Sequence, residues 1–169
     1  LRLVVLDTET LVGSDRRHRL IEVAVVTCRN GAAKSSWSAR ANPGEPVDDA
    51  TRLVHGITTD ELADEPGFDA IAPELTRRLR GLDDETVVLV AHKATSDVGV
   101  LRHEYKLAGV ELPDLPVLDT IALRKALGVR TAGDGLDHLL RELGLTNPKA
   151  HSALGDARAT AEAVIALLE

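Results

Sequence analysis

The stretch LVVLDTET, at residues 3–10, is the starting point for interpreting this chain of 169 residues. Its first four residues are apolar and two of them are β-branched, which predicts a strand buried on both faces. Asp7 and Glu9 follow directly, and side chains two positions apart in a strand point to the same face. Two such carboxylates repel each other, and a divalent cation removes that repulsion. An acidic pair at the end of a buried strand therefore indicates a functional site.

Two further strands are predicted after this stretch. The apolar run at 20–28 is typical of a second buried strand, and the weaker alternation at 34–41 suits an edge strand. Gly31 lies where a hairpin turn would join them. Residues 42–66 are rich in Pro, Gly and Asp, so we expect at most short helical turns there.

Helices and strands alternate in the rest of the sequence. Apolar residues at helical spacing predict an amphipathic helix over 67–82, and buried strands are predicted at 86–91 and 116–118. Helical periodicity also marks 98–108, 123–127, 136–143 and 154–168. This order predicts an α/β fold with a mixed central sheet flanked by helices. The ribonuclease H-like arrangement is one such fold, and a doubly wound sheet is the alternative.

Composition limits the class of protein. The net charge of −7, from 27 acidic and 20 basic residues, argues against a generally basic surface for nucleic acid. No run approaches the ~20 apolar residues of a membrane helix, so we expect no membrane association. Cys28 is the single cysteine, which excludes an intramolecular disulfide and favours a reducing, cytoplasmic setting. Since the chain lacks Met and begins in an apolar run, we expect residues 1–169 to be one domain cut from a longer chain.

Three more residues extend the acidic pair into a candidate active site. Asp97 opens the helix after the strand at 86–91, Asp156 lies in the first turn of the last helix, and His151 precedes that helix on a loop. Each position alone has an ordinary explanation, because aspartates are common in the first turns of helices. Together with the acidic pair they offer hard oxygen ligands for two Mg²⁺ or Mn²⁺ ions, which can act on both reacting oxygens of a phosphodiester. The histidine can accept a proton from water.

Four motifs in this order resemble those of the DEDDh 3′–5′ exonucleases, most closely the group of the proofreading epsilon subunit of bacterial DNA polymerase III. They are DTET at 7–10, LVHGIT at 53–58, the segment 91–97 that begins with Ala-His and ends with Asp, and HSALGDA at 151–157. The Asp-Thr pair at 119–120 adds to the resemblance, which covers nearly the whole chain. A glycine-rich phosphate loop, which an ordinary nucleotide-binding domain would carry after its first strand, is absent from the sequence.

The resemblance implies the chemistry and the residues that carry it. The expected reaction is hydrolysis at the 3′ end of DNA, single-stranded or mismatched, with release of nucleoside 5′-monophosphates. His151 would be the general base, and Asp7 would bridge two divalent cations, Mg²⁺ or Mn²⁺. The full set of implied metal ligands is Asp7, Glu9, Asp97 and Asp156.

Other residues are implied to bind the substrate. Thr8 and Thr10 would lie near the terminal nucleotide, and Val54 and His55 would line the pocket for its base. For His55 the alternative is a structural histidine packed beside the turn at Gly56.

Two positions depart from the family pattern. The family usually has Asn at the position of Lys93 and Phe at that of Ser96, and the Phe typically packs against the substrate. Ser96 leaves a smaller, more polar wall, and stacking of a base on an aromatic ring is worth roughly 1–3 kcal/mol. Lys93 either offers charge to a phosphate or is solvated. Since no ligand or base is missing, we expect an active enzyme.

Basic residues and possible partners complete the predictions. The loop cluster at 16–19 (Arg, Arg, His, Arg) is expected to contact the substrate backbone, whereas Arg77, Arg78 and Arg80 suit a solvated face. Expected partners are nucleic acid with a free 3′ end and a DNA polymerase or other replication or repair domain. The alternatives are an RNA exonuclease on the same fold and a non-catalytic nucleic-acid-binding or polymerase-tethering module.

Overall fold

Five strands form one mixed sheet in the computed structural model, which describes residues 1–80 and 85–169. The strands are β1 (Arg2–Val12), β2 (His18–Arg29), β3 (Ala32–Arg40), β4 (Val87–Ala91) and β5 (Val117–Asp119). Their order across the sheet is β3-β2-β1-β4-β5. The first three strands pair antiparallel, while β4 pairs parallel with both β1 and β5. The predicted mixed sheet is confirmed, and the antiparallel β1–β2–β3 meander excludes the doubly wound alternative.

Seven helices in the described residues flank this sheet. They are α1 (Asp49–His55), α2 (Thr59–Ala63), α3 (Phe68–Leu79), α4 (Ala94–Leu107), α5 (Thr120–Ala126), α6 (Leu136–Glu142) and α7 (Ala153–Leu168). The two short helices α1 and α2 match the short turns expected within 42–66. The helix predicted over 67–82 ends at Leu79, and position 82 lies outside the described residues. None of the described helices has the length and apolar character needed to cross a membrane.

The first strand is buried on both faces, as predicted. Val4 and Leu6 pack with residues of α3 and α4, whereas Val5 packs on the other face against Ala157 and Ala161 of α7. These three strand residues have no solvent exposure. Alternation along β1 therefore turns Asp7 and Glu9, like Val5, toward α7. The strand also continues through both acidic residues to Val12 because β2 pairs with it along its whole length, so the pair lies within the strand rather than beyond it.

Candidate active site

Three of the predicted carboxylates meet where α7 crosses β1. Asp7, Glu9 and Asp156 each offer an oxygen, and these oxygens all lie within 4.8 Å of one another. β1 supplies the first two on one face, and the first turn of α7 brings the third against that face. Carboxylate oxygens are the donors that Mg²⁺ and Mn²⁺ prefer. The donor set therefore fits a divalent cation.

Asp97 lies beside this trio rather than within it. It is 5% exposed in the first turn of α4, and its Oδ1 accepts a hydrogen bond of 2.7 Å from the Thr8 hydroxyl. Its negative charge raises the pKa of Asp7, which places the fourth predicted carboxylate in the same electrostatic field. Thr8, predicted near the terminal nucleotide, uses its hydroxyl to anchor Asp97.

The electrostatics of the carboxylates favour a cation. Burial raises the pKa of Asp7 well above its ordinary value, and the charges of Asp97, Asp156, Glu9 and Glu22 raise it further. Burial, followed by neighbouring carboxylates, raises the pKa of Glu9 to about 7. Burial is also the main cause of the rise in pKa for Asp156 and for Asp97, whose pKa reaches about 6. A positive ion would relieve this shared desolvation and repulsion.

His151 is held beside Asp156 by its backbone. Its N–H donates to Asp156 Oδ2 at 3.1 Å, and its φ of 62° is in the left-handed region. Asn147 Nδ2 donates to the other oxygen, Oδ1, at 2.5 Å. The loop that carries these residues lies tight against α7, because a Cβ on Gly155 would clash with the carbonyl oxygen of Lys149. The exposed His151 side chain thus lies on a loop that is tied to the carboxylates.

Glu22 is a site residue that the motifs did not reveal. It faces Glu9 across the β1–β2 ladder, and its Oε2 accepts a 2.9 Å hydrogen bond from the N–H of Ala153. Arg40 lies 3.6 Å from its other oxygen, Oε1. A glutamate within the apolar run 20–28 was the signal available in the sequence. Asn147 had no such signal.

The second motif, LVHGIT at residues 53–58, begins within the last turn of α1 and continues past its end. His55 Nδ1 accepts from the N–H of Ile57 at 3.0 Å, directly after Gly56 closes the helix with φ 77°. This bond supports the structural interpretation of His55, although its Nε2 is buried without a hydrogen-bond partner. Val54 is 56% exposed, and Thr10 shares a 3.0 Å hydrogen bond with His18 Nδ1. Val54, one of the two residues predicted to line the base pocket, is therefore mostly exposed to solvent.

The third motif, residues 91–97, forms the turn from β4 into α4 and the first turn of that helix. His92 hydrogen-bonds through Nδ1 to the Thr120 hydroxyl and through Nε2 to the carbonyl oxygen of Asp134, each at 2.8 Å. Asp119 Oδ2 accepts from the N–H of Ala94 at 2.9 Å. Lys93 between them has a left-handed φ of 60°. The His and the Asp-Thr pair of the motifs therefore act as a scaffold that orients the helix carrying Asp97.

The basic residues predicted as one loop cluster, at 16–19, have different surroundings in the structure. Arg19 was expected to contact the substrate backbone, but its Nε donates to the buried Glu104 at 2.8 Å, and its guanidinium lies 3.6 Å from Glu45. The placement of residue 19 in a loop is wrong, because it lies inside β2 and its side chain packs against α4. Its contact with the substrate backbone stays a prediction. Arg17 is exposed, with a 3.9 Å ion pair to Asp15.

The arginines of α3 face away from the carboxylates. Arg77 and Arg78 both pair with Glu74, and Arg78 also stacks over Trp37 at 5.1 Å. α3 packs on the Val4 and Leu6 face of the sheet, opposite to α7. These arginines therefore lie on the layer of the molecule opposite to the carboxylates.

Comparisons with known proteins agree with this geometry. Residues 4–164 match the RNase T family, described as an exonuclease. The chain is 40% identical over 176 residues to a DNA polymerase III subunit epsilon-like protein of Rhodobacter capsulatus, covering 99% of the chain and 24% of that protein. It is 31% identical to the 3′-5′ exonuclease DinG of Bacillus subtilis, covering 99% of the chain and 18% of that protein. The chain thus spans about a quarter or less of the length of these relatives.

Solved structures share the fold. The nuclease domain of 3′hExo, a DEDDh family member bound to rAMP, superposes with a TM-score of 0.85 at 16% identity, covering 99% of this chain and 91% of that one. Exonuclease X in complex with 5′ overhanging duplex DNA gives a TM-score of 0.72 at 26% identity, covering 98% and 90%. These matches identify the mixed sheet as the ribonuclease H-like fold. The chain therefore belongs to this exonuclease family, whose model matches residues 4–164.

Proposed function

We propose that residues 1–169 act as one exonuclease domain that removes nucleotides from single-stranded or mismatched 3′ ends of DNA, releasing nucleoside 5′-monophosphates. The observation that carries this proposal is the convergence of Asp7, Glu9 and Asp156 oxygens within 4.8 Å. A non-catalytic binding module has no need of clustered carboxylates, whose repulsion costs stability. DNA is proposed over RNA because several relatives of the chain are named for DNA polymerase III.

The carboxylates would hold two divalent cations, Mg²⁺ or Mn²⁺. Asp7, Glu9 and Asp156 provide the shared oxygens, and Asp97 adds a fourth carboxylate beside them. When bound, the cations would supply positive charge for the attacking and leaving oxygens of the phosphodiester. Burial raises the pKa of Asp97 to about 6, and the hydrogen bond from the Thr8 hydroxyl opposes that rise and orients the carboxylate.

We assign proton transfer to His151. An imidazole is the commonest general base for a water molecule, and a ring nitrogen of His151 would take the proton as the water attacks. The backbone hydrogen bond to Asp156 supports this role, since it ties the histidine to a carboxylate of the site without using the ring. The ring is exposed and free to meet the substrate.

The names of relatives also suggest which domains this one works beside. DNA polymerase III PolC-type of Bacillus cereus is 30% identical over 166 residues, and the matched segment is 11% of that protein. We therefore infer that the domain works beside a polymerase or another replication or repair domain. The free, buried Cys28 fits a reducing, cytoplasmic compartment.

The decisive experiment measures release of mononucleotides from 3′-labelled single strands with Mn²⁺. DNA and RNA strands of the same sequence are compared, together with duplex DNA carrying a matched or mismatched 3′ end. We expect 5′-monophosphates from the single-stranded and mismatched DNA, and no turnover by Asp7→Ala. Faster cleavage of RNA would establish the RNA alternative, and no release from any strand would exclude the enzymatic proposal.

A further inference from the structure

A wide cavity lies on the α3 side of the sheet, away from the carboxylates. It measures about 620 Å³ and is lined by the start of β1, the end of β2, the start of β3 and the C-terminal half of α3. Arg2, on its wall, shares this face of the sheet with Val4, opposite to Asp7. Arg2 and Asp7 are five residues apart on β1, which separates them by about 17 Å. The cavity is therefore distinct from the candidate active site.

Positive side chains dominate the lining of this cavity. Among the described residues that line it, six carry a positive charge and none is acidic, although the chain as a whole has a net charge of −7. The six are Arg2, Arg29, Lys34, Arg77, Arg78 and Arg80. Five of them are arginines, whose planar fork of donors matches the oxygens of a phosphate. The lining thus suits a compact anion of high charge.

Part of this lining is held in place by contacts within the chain. Arg2 is 9% exposed, and its two terminal nitrogens donate to the carbonyl oxygens of Arg80 and Arg78 at 2.9 and 2.8 Å. It thereby satisfies carbonyl groups at the end of α3, which explains one buried cation at this position. Arg29 donates to Glu85 at 2.8 Å. These contacts give the cavity a fixed frame, but they do not explain why further cations gather around it.

Several donors around the cavity have no partner. Lys34 and Arg80 are exposed, and neither side chain forms a hydrogen bond or an ion pair with the described residues. The Nε atoms of Arg2, Arg29 and Arg78 are buried and also lack a hydrogen-bond partner. Burial and the charges of neighbouring arginines lower the pKa of Arg2, although a nearby glutamate opposes them. An anion in the cavity would accept from the unused donors and relieve the repulsion.

We propose that this cavity binds an anion of linked phosphate groups, such as the phosphate chain of a nucleoside triphosphate. Lys34 and Arg80, the exposed cations without partners, would bind its oxygens, and a volume of about 620 Å³ is typical of a small-molecule site. A DNA strand with its 3′ end at the carboxylates would have to pass around the sheet to reach this face. The anion would therefore be a separate molecule. This site goes beyond the proposed function and does not depend on it.

Trp37 provides a direct test of binding. It is the only tryptophan in the sequence, and the Arg78 guanidinium stacks over its ring at 5.1 Å. Its emission is titrated with sodium tripolyphosphate, ATP or sodium sulfate at constant ionic strength, and calorimetry measures the same binding without relying on emission. EDTA keeps divalent cations, and with them phosphate binding at the carboxylates, out of the titration.

We expect saturable binding of tripolyphosphate and ATP, and much weaker binding of sulfate. Tighter binding of ATP would identify a nucleotide as the source of the phosphate chain, and equal affinities would show that the chain alone is recognised. No saturable binding of either compound would overturn the inference.

A double variant locates the bound anion. Lys34→Ala/Arg80→Ala removes the two cations without partners and should raise the Kd of tripolyphosphate about tenfold or more, the worth of one hydrogen bond to a charged group. The matched control is Arg130→Ala/Lys149→Ala, which removes two exposed cations outside the cavity and should leave that Kd unchanged. Equal Kd values in the two double variants would place the anion elsewhere and contradict the proposal.

A variant of opposite effect and a competition experiment complete the test. Glu74→Gln removes the carboxylate that pairs with Arg77 and Arg78, so it should tighten tripolyphosphate binding. We expect neither a thymidine decanucleotide nor a hexaglutamate peptide, at equal concentrations of charge, to displace tripolyphosphate. Displacement by either would reassign the cavity to a nucleic-acid strand or an acidic peptide and overturn the inference. Failure of the wild-type chain to cleave DNA would refute the proposed function without affecting this binding.

Discussion

The carboxylate of Glu22 accepts a 2.9 Å hydrogen bond from the backbone N–H of Ala153, a residue 131 positions later. Glu22 lies opposite Glu9 in the sheet, and Ala153 is the first residue of α7, three positions before Asp156. An acidic group at this end of a helix is also favoured by the helix dipole. The contact thus connects β2, which pairs with the strand that carries Asp7 and Glu9, to the helix that carries Asp156.

Loss of this hydrogen bond should weaken metal binding. A hydrogen bond to a charged group is worth about 1.5–3 kcal/mol, so Glu22→Ala should raise the Mn²⁺ concentration for half-maximal activity about tenfold or more. Glu22→Gln keeps an acceptor for the Ala153 N–H and should show a smaller change. The control is Glu162→Ala, on the exposed side of α7. A lower melting temperature with unchanged Mn²⁺ dependence would show that Glu22 only stabilises the fold.

The pH dependence of stability should differ with and without a divalent cation. In the cation-free protein the pKa of Glu9 is raised to about 7 and that of Asp97 to about 6, compared with ~4 in the unfolded chain. The folded state therefore binds more protons between these values, and the free energy of unfolding falls as pH rises from about 4 to 7. A cation opposes this loss, so the Mn²⁺-induced rise in melting temperature should be larger at pH 8 than at pH 5.5.

The same experiment has an internal control. Asp7→Asn removes one of the repelling charges, so it should raise the melting temperature of the cation-free protein at pH 8. It should also reduce the stabilisation that Mn²⁺ provides. Equal Mn²⁺ effects at both pH values in the wild-type protein would contradict the role of the raised pKa values.

The fold and the acidic residues could be predicted because local patterns carry them. The apolar run before Asp7 and the spacing of Asp7 and Glu9 determine a strand with two carboxylates on one face. The extension of β1 to Val12 could not be read in this way, because it depends on pairing with β2. Glu22, Arg19 and Asn147 escaped prediction for a related reason. Their hydrogen-bond partners are 9 to 131 residues away, and no local periodicity encodes such pairs.

His151 can be tested without disturbing its backbone. Its left-handed φ is easily adopted by glycine, so His151→Gly should keep the N–H bond to Asp156 while removing the ring. If the ring accepts the proton, kcat should fall about 10²–10⁴-fold with unchanged Mn²⁺ affinity, and added imidazole should restore part of it. Lys149→Ala, on the same loop, serves as the control. A parallel loss of kcat and Mn²⁺ affinity would assign His151 a structural role instead.

Glu104 should contribute strongly to the free energy of unfolding, because it joins α4 to β2. It is 2% exposed in α4 and accepts hydrogen bonds from Arg19 Nε at 2.8 Å and from the N–H of Leu20 at 3.0 Å. The β1–β2 register shifts between Glu9 and Thr10, beside Leu20, so this glutamate supports the strand where Glu9 is presented. Breaking a buried ion pair from one side costs about 3–5 kcal/mol.

Urea denaturation of Glu104→Ala should therefore show a lower midpoint with an unchanged m-value. Glu104→Gln keeps an oxygen for the Leu20 N–H but loses the charge opposite Arg19, so its midpoint should lie between those of Glu104→Ala and the wild type. The exposed helical control Glu162→Ala should stay within about 0.5 kcal/mol of the wild type. If Glu104→Ala behaves like this control, the buried pair does not hold β2 against α4, and the support for Glu9 must come from the strand pairing alone.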